Sequence, residues 1–304
     1  MSSPVSLEAF DELTSGVYSR NSLLALVKDW NLFRIFCFEK QVNVLPASTT
    51  AVRQFIEHEA KTRKFSTLKR YTVTISLVHR LLASHDPIAN SQVRLLIAKY
   101  RLDKNGDAKQ ATSFTLEHLN ELDECLSKEH CPKNIRDLAI YFLMFECVLK
   151  RSELKALTIG QVDSMESYLH VNVQQHSYRL SERGTFVLRQ WLSISGGASD
   201  WPLFRAIDRH GNINHSAMDD SSIYRVLRNA GTLIQYPAVF SGQSTRIGGA
   251  QHLAKTGHKP KEIQEFGRWL SPAMPYQYIG NRQKAETKSK SLNQSGLGNN
   301  ASCE

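Results

Sequence analysis

Ser241-Gly-Gln-Ser-Thr-Arg246, followed by Gly267-Arg-Trp269 and then by Tyr278, sets a guanidinium, an indole and a phenol at spacings that suit attack on a phosphodiester. Arg246 offers a planar fork of N–H donors that fits two phosphate oxygens. Trp269 can hold a non-bridging oxygen or pack beside the arginine, and Tyr278 carries the hydroxyl. Residues 221–230, 246–256 and 260–269 read as helices, so these groups sit on or beside helical segments.

Upstream, residues 133–148 form a helix with a nearly continuous apolar run from Leu138 to Met144, and Thr115 caps a shorter helix that reaches Cys125. Tyr168-Leu-His-Val-Asn-Val173 alternates apolar and polar side chains in the manner of a strand. Residues 174–185 supply the turns of a small antiparallel sheet. Trp191 and the segment Trp201-Pro-Leu-Phe204 read as core.

The first hundred residues read as consecutive amphipathic helices. Over residues 21–40, Leu26, Trp30, Phe33 and Cys37 fall on one helical face. Thr49 or Thr50 caps the next helix, which carries Val52, Phe55 and Ile56. Ser66 or Thr67 caps a third, whose apolar face is Leu68, Tyr71, Ile75, Val78 and Leu82. Lys61, Arg63, Lys64, Lys69 and Arg70 cluster around the start of that third helix. Free amide donors at a helix N-terminus, flanked by cations, can dock a phosphate, and the first side chains of such a helix reach base edges in a major groove.

The composition fits this reading. A chain of 304 residues suffices for two cores, and 38 Lys and Arg against 29 Asp and Glu give a formal charge of +9, which favours a polyanionic partner. Residues 1–108 hold 15 basic and 10 acidic side chains and the remainder 23 and 19, so the excess is shared between the halves. Cys37, Cys125, Cys131, Cys147 and Cys303 include no CxxC pair and read as reduced thiols, with no zinc site. No secretory signal and no apolar run long enough to span a bilayer is present, and no aromatic-rich strand suited to stacking single-stranded bases. Asn105-Gly-Asp-Ala-Lys-Gln-Ala-Thr112 is small and polar, a linker between domains. The expected division is 1–104, linker 105–114, 115–284, and a flexible tail 285–304.

The stretch Ser241-Gly-Gln-Ser-Thr-Arg-Ile-Gly-Gly-Ala-Gln-His-Leu-Ala254 resembles the second box, H-x-x-R, of the tyrosine recombinase (phage integrase) family. Lys261-Glu-Ile-Gln-Glu-Phe-Gly-Arg-Trp269 and the nine-residue step to Tyr278 resemble its third box, and Leu149-Lys-Arg-Ser-Glu-Leu154 its first, G-L-R-x-S-E-L. Asp107-Ala-Lys-Gln-Ala-Thr-Ser-Phe114 is similar to a family linker. The resemblance implies a mainly α fold, a two-domain C-shaped clamp with an all-helical DNA-binding domain and a mostly helical catalytic domain carrying a small antiparallel sheet. It also implies the activity of a site-specific recombinase that cuts and rejoins duplex DNA through a covalent 3′-phosphotyrosine, without metal or other cofactor. Its partners would be double-stranded DNA with inverted half-sites and further copies of the chain, a dimer per site and a tetramer in synapsis, with room for an accessory DNA-binding protein and no membrane. The expected location is the cytoplasm, on the nucleoid, in the service of a mobile genetic element.

Carried over by position, the resemblance assigns the nucleophile to Tyr278, with Tyr276 as the competing phenol, and phosphate binding to Arg246 and Trp269. The first arginine of the pattern falls on Lys150, which is expected to point inward, with Arg151 next to it as a DNA contact, and Glu153 falls on the acidic buttress. The imidazole of the second box is replaced by Gln243, which can hydrogen-bond a phosphate oxygen but cannot transfer a proton. The hairpin at 174–179 should supply a lysine general acid and contains none; His176 can protonate a leaving hydroxyl near neutral pH, whereas Arg179 can only stabilise it. These replacements leave a second implied function: a recombinase-fold DNA-binding protein, impaired in cleavage, that serves in replicon maintenance, regulation or as an architectural subunit.

Overall fold

The computed structural model describes residues 4–107, 110–165 and 167–280; the expected tail at 285–304 and Cys303 lie outside them. The chain divides into two compact units, one through Gln110 and the other from Ala111.

Among the described residues, the first unit contains five α-helices, α1 (Leu7–Leu13), α2 (Arg20–Glu39), α3 (Thr49–Ala60), α4 (Phe65–Leu81) and α5 (Ser91–Asp103), with a 3-10 turn at Pro87–Ala89. The four α2 residues expected on one face, Leu26, Trp30, Phe33 and Cys37, are all buried. They meet Val52, Phe55 and Ile56 of α3 and Leu68, Tyr71, Ile75 and Val78 of α4 in a single core. Phe55 centres it, with ring centroids 5.1 Å from Phe33 and 5.4 Å from Tyr71. The Phe33 pair is edge-on and the Tyr71 pair tilted, and aromatic pairs of this kind add to the hydrophobic gain from the buried area.

Three local expectations need correction. Ser48, rather than Thr49 or Thr50, caps α3 by accepting from the Ala51 amide at 3.1 Å. Lys64, rather than Ser66 or Thr67, is the N-cap of α4, and the Phe65 amide there donates to Asp107 Oδ2 at 2.7 Å. An acceptor delivered from 42 residues away lets the helix start ahead of its own hydroxyl residues, and that amide is occupied rather than free. Leu82, expected on the core face, is 43% exposed because α4 ends at Leu81 and Ala83 turns the chain at φ 50°.

The second unit is built on α7 (Pro132–Glu146), whose residues from Ile135 to Phe145 are all buried. A helix apolar around its whole circumference must be covered on every side. Here α6 (Leu116–Leu126), α9 (Glu182–Ser195) and α11 (Gly242–Lys255) pack against it. Thr115 caps α6, as expected, in a capping box with His118. After α8 (Arg151–Ala156) come β1 (Val162–Met165), β2 (Tyr168–Val173) and β3 (His176–Arg179), an antiparallel sheet in which Val171 pairs with Val162 and Tyr178. Leu169, Val171 and Val173 face the core, as the alternation of the strand requires.

Residues 182–185, expected among the turns, belong instead to α9, which Ser181 starts by accepting from the Gly184 amide at 2.9 Å. Trp191 on that helix is fully buried, whereas Trp201 is half-buried. A two-stranded ribbon, β4 (Arg205–Ile207) with β5 (Ile213–Ala217), precedes α10 (Asp220–Leu233). α11 then begins four residues ahead of the expected start, and α12 (Pro260–Phe266) and α13 (Ala273–Tyr278) close the unit.

Gly248 of α11 is required by a close approach. The Phe114 carbonyl oxygen lies where a β-carbon at 248 would fall, and the Phe114 amide donates to the Ser244 carbonyl at 3.0 Å. Gly248→Ala is expected to force that segment off α11 and lower the stability of the second unit by about 1–3 kcal/mol, the usual cost of overpacking. Denaturant unfolding followed by circular dichroism measures it, and an unchanged midpoint would show that the segment gives way freely.

Candidate active site

α11 places Gln243 and Arg246 three residues apart, hence on one face. Its start is fixed by the reciprocal pair Ser241 and Ser244, the Ser241 amide donating to Ser244 Oγ at 3.0 Å. Arg246 is buried. Its Nη1 donates to the Val148 carbonyl at 2.5 Å and its Nη2 to the Gly267 carbonyl at 2.8 Å. The guanidinium lies over the Trp269 ring, 4.4 Å from its centroid. These bonds use two of the five N–H donors of an arginine, and among the described residues the other three make no further hydrogen bond. Burial, together with the positive charge of Arg268, pulls the Arg246 pKa down to about 10, against the opposing effect of Glu153. Bound anionic oxygens would reverse that destabilisation of the charge.

Tyr278 ends α13 and is brought to the same place. Its ring meets Trp269 edge-on at 5.8 Å and belongs to a small buried cluster with Ile247, Ala250 and Ile263. Gln243 Nε2 donates to the Tyr278 hydroxyl at 3.4 Å, and Gln251 Nε2 to the Tyr278 carbonyl at 3.0 Å. Trp269 therefore has the arginine on its face and the tyrosine at its side, and the three groups singled out by sequence stand together. Tyr276, the competing phenol, is half-buried.

The first box sits behind Arg246. Val148 adopts φ 50°, a costly conformation for a β-branched side chain, on the order of 1–3 kcal/mol. The turn aims its carbonyl at Arg246. Lys150 is the N-cap of α8; its amide donates to Glu153 Oε2 at 2.7 Å, and its side chain is 45% exposed with Nζ 3.4 Å from Glu153 Oε1. Lys150 therefore does not point inward as expected: the ammonium lies outside the carboxylate, whose buried side is taken by Arg268. Arg151 goes the other way: its Nη1 reaches the Asp220 carbonyl at 3.5 Å and its guanidinium stands 5.8 Å from the Tyr224 ring. His176 opens β3 and is exposed, with its ring 6.2 Å from that of Tyr178. Arg179 is stacked over Tyr168 at 3.7 Å.

Sequence reasoning missed Arg268. This residue, also at a positive φ of 54°, turns inward and meets Glu153 with both edges of its fork, Nε to Oε1 at 3.1 Å and Nη2 to Oε2 at 2.8 Å. Burial pushes the Glu153 carboxyl up, but the Arg268 hydrogen bonds, the Lys150 amide and both positive charges outweigh it, and the carboxyl is held below its ordinary value. Nothing in the spacing of Gly267-Arg-Trp269 marks this pairing; a buttressing Glu153 beside a lysine in place of arginine is the one clue that another guanidinium could take its place.

In the first unit, Arg70 is held by Asp29 through Nε at 2.6 Å and Nη2 at 2.8 Å, and Arg63 by Glu59 at 3.1 Å. Lys61, Lys64 and Lys69 are exposed and have no ion pair among the described residues.

Comparison with known proteins gives a consistent outcome. Residues 112–285 match the model of the phage integrase family. The chain is 23% identical over 289 residues to recombinase cre of Escherichia phage P1, covering 85% of this chain and 82% of that protein. It is 24% identical over 278 residues to an integrase/recombinase xerD homolog of Selenomonas ruminantium, covering 85% and 81%. Among solved structures, the XerH site-specific recombinase bound to a palindromic difH substrate, a post-cleavage complex, has the same fold, with a TM-score of 0.62 at 13% identity over 96% of this chain and 84% of that one. No helix among the described residues is long and apolar enough to cross a membrane.

Proposed function

We propose, from the premise that the chain belongs to the phage integrase family, that it is a site-specific DNA recombinase whose nucleophile is Tyr278. The observation that carries this is the convergence of Arg246 and Tyr278 on one indole, 4.4 Å and 5.8 Å from the Trp269 ring. Two groups with opposite tasks, one for the phosphate and one for attack, share a single support.

In this reading the scissile phosphate lies on the open donors of Arg246 with Lys150 at its edge. The Tyr278 oxygen attacks phosphorus and releases its proton to solvent, while Gln243 donates to that oxygen and orients it. The bond to the 5′ oxygen breaks, and His176 as imidazolium supplies the proton that makes it a hydroxyl. A 3′-phosphotyrosine results. Attack by another 5′-hydroxyl reverses each step and rejoins the strands without an external energy source. Preorganised cations around the equatorial oxygens lower both barriers.

The substrate is duplex DNA with inverted half-sites, bound by a dimer per site and exchanged in a tetramer on the nucleoid; an accessory DNA-binding protein can assist. The charge of +9 supports the polyanionic partner. Purified protein is first used to recover its target from genomic DNA, and a nicked duplex of that target then tests for a covalent adduct. An adduct that survives denaturant is the expected result. A shifted band with no such adduct would defeat strand transfer and leave the second reading, a DNA-binding relative impaired in cleavage, which the glutamine at 243 and the exposed Lys150 favour.

The first unit contributes the docking surface. With Arg63 and Arg70 engaged by carboxylates, Lys61, Lys64 and Lys69 are, among the described residues, the cations of this cluster without an ion pair, and Lys64 and Lys69 flank the first turn of α4. Lys64→Ala with Lys69→Ala is expected to weaken DNA binding and reduce the slope of log affinity against log salt by about 2, near 0.9 per lost contact. Fluorescence anisotropy across a salt series reads both. An unchanged slope would remove this helix from the interface.

A further inference from the structure

We propose that Arg268 is a positioning residue of the site, acting through Glu153 and the Val148 carbonyl on Arg246 and Trp269. Its consequence for rate rests on the strand-transfer reading above; its geometry does not.

Arg268 is itself buried and its donors are spent. Nε and Nη2 hold Glu153, Nη2 also donates to the Val148 carbonyl at 3.1 Å, and Nη1 donates to the Phe266 carbonyl at 3.0 Å and to the Tyr178 hydroxyl. The Cys147 carbonyl accepts from both Nη atoms at 3.3 Å. No N–H is left to meet a phosphate, so direct participation in the reaction is closed to it.

What Arg268 touches is the frame that holds the other guanidinium. The Val148 carbonyl accepts from Arg268 Nη2 and from Arg246 Nη1, so one oxygen fixes both. Two residues with positive φ, Val148 and Arg268, face each other across that bond. A strained backbone persists only where surrounding interactions determine it, and such outliers concentrate at functional sites. The neighbours of Arg268 complete the frame: the Gly267 carbonyl accepts from Arg246 Nη2, and the Trp269 ring lies under the Arg246 guanidinium. Three consecutive residues thus define where Arg246 stands. The hydroxyl of Tyr178 on β3 also donates to the Phe266 carbonyl at 2.7 Å, which ties the hairpin carrying His176 to the same anchor.

Two like-charged guanidinia on one carbonyl would repel without compensation, and Glu153 supplies it from the side of Arg268. Planarity matters as much as charge. A lysine could keep the ion pair but could not span Glu153, Val148 and Tyr178 together. Displacement of a catalytic group by about 1 Å can cost 100-fold in rate, so loss of this anchor should show in chemistry more than in DNA affinity.

The test uses the full chain labelled with 5-fluorotryptophan. It has four tryptophans, Trp30, Trp191, Trp201 and Trp269, and Trp269→Phe assigns the resonance of interest. In Arg268→Gln the Trp269 resonance is expected to shift or broaden while those of Trp191 and Trp201 in the same unit stay in place. Single-turnover adduct formation should fall about 100-fold at an unchanged half-saturating DNA concentration, with Arg268→Lys recovering part of the loss. If Arg268→Gln does not fold, Arg268→Lys carries the same comparison. An unmoved Trp269 resonance, or equal movement of all the resonances with a parallel loss of affinity, would overturn the proposal. Absence of an adduct in the unsubstituted protein would instead defeat strand transfer and leave the fluorine spectrum to decide the role of Arg268.

Discussion

Tyr278→Phe is expected to abolish the denaturant-resistant DNA adduct while leaving DNA binding and thermal stability essentially as they are. The ring keeps its edge contact with Trp269 and its place beside Ile247, Ala250 and Ile263. The substitution removes one long hydrogen bond, from Gln243 at 3.4 Å, and a bond of ordinary strength contributes only about 1 kcal/mol. The chemistry loses its nucleophile altogether. Tyr276→Phe serves as the control and should retain the adduct, because the contact with Trp269 and the hydrogen bond from Gln243 belong to Tyr278. Gel separation of the labelled duplex after denaturation reads both variants. An adduct that persists in Tyr278→Phe and vanishes in Tyr276→Phe would reassign the nucleophile.

Arg246→Lys is expected to slow adduct formation on the order of 100–1000-fold with positive charge retained. The guanidinium does two things that an ammonium cannot do together: it donates to both Val148 and Gly267, and it lies over the Trp269 ring. A lysine cannot reach both carbonyls; Val148 keeps its bond from Arg268 Nη2, whereas a Gly267 carbonyl that loses its donor costs about 1–3 kcal/mol. Thermal melting should therefore fall together with the rate, but a loss of stability of that size leaves most molecules folded at working temperature. Single-turnover measurement with saturating DNA isolates the chemical step. A rate close to that of the unsubstituted protein would make Arg246 a scaffold residue and end its assignment to the phosphate.

The helices were legible wherever apolar residues recur at steps of three and four, as at Leu26, Trp30, Phe33 and Cys37 of α2, because that spacing places them on one face whatever they meet. The caps were less so. A hydroxyl just before an apolar run is a fair signal, and it held at Thr115, but α4 starts at Phe65 because Asp107 supplies an acceptor from 42 residues away. α9 escaped for a related reason: Ser181, its cap, is also held by Glu146 Oε1 at 2.6 Å, a contact that sequence spacing does not record.

In the candidate site, the order of the boxes and the step from Trp269 to Tyr278 singled out residues that the fold gathers around one indole. The directions of Lys150 and Arg151 were not legible, since both lie at the start of α8 and differ only in which neighbour each meets, Glu153 for one and Asp220 with Tyr224 for the other.

By itself, the sequence determined the helical character of the first unit, the central buried helix α7 and much of the core face of α2, α3 and α4, because periodicity is a local property of the chain. It also determined the family, through motifs whose order survives at low overall identity. Only the tertiary structure decided which guanidinium lies against Glu153. Arg268 pairs with it across 115 residues, through a left-handed backbone turn that no residue preference announces, and a buried charge takes whichever partner the packed fold delivers within hydrogen-bonding reach.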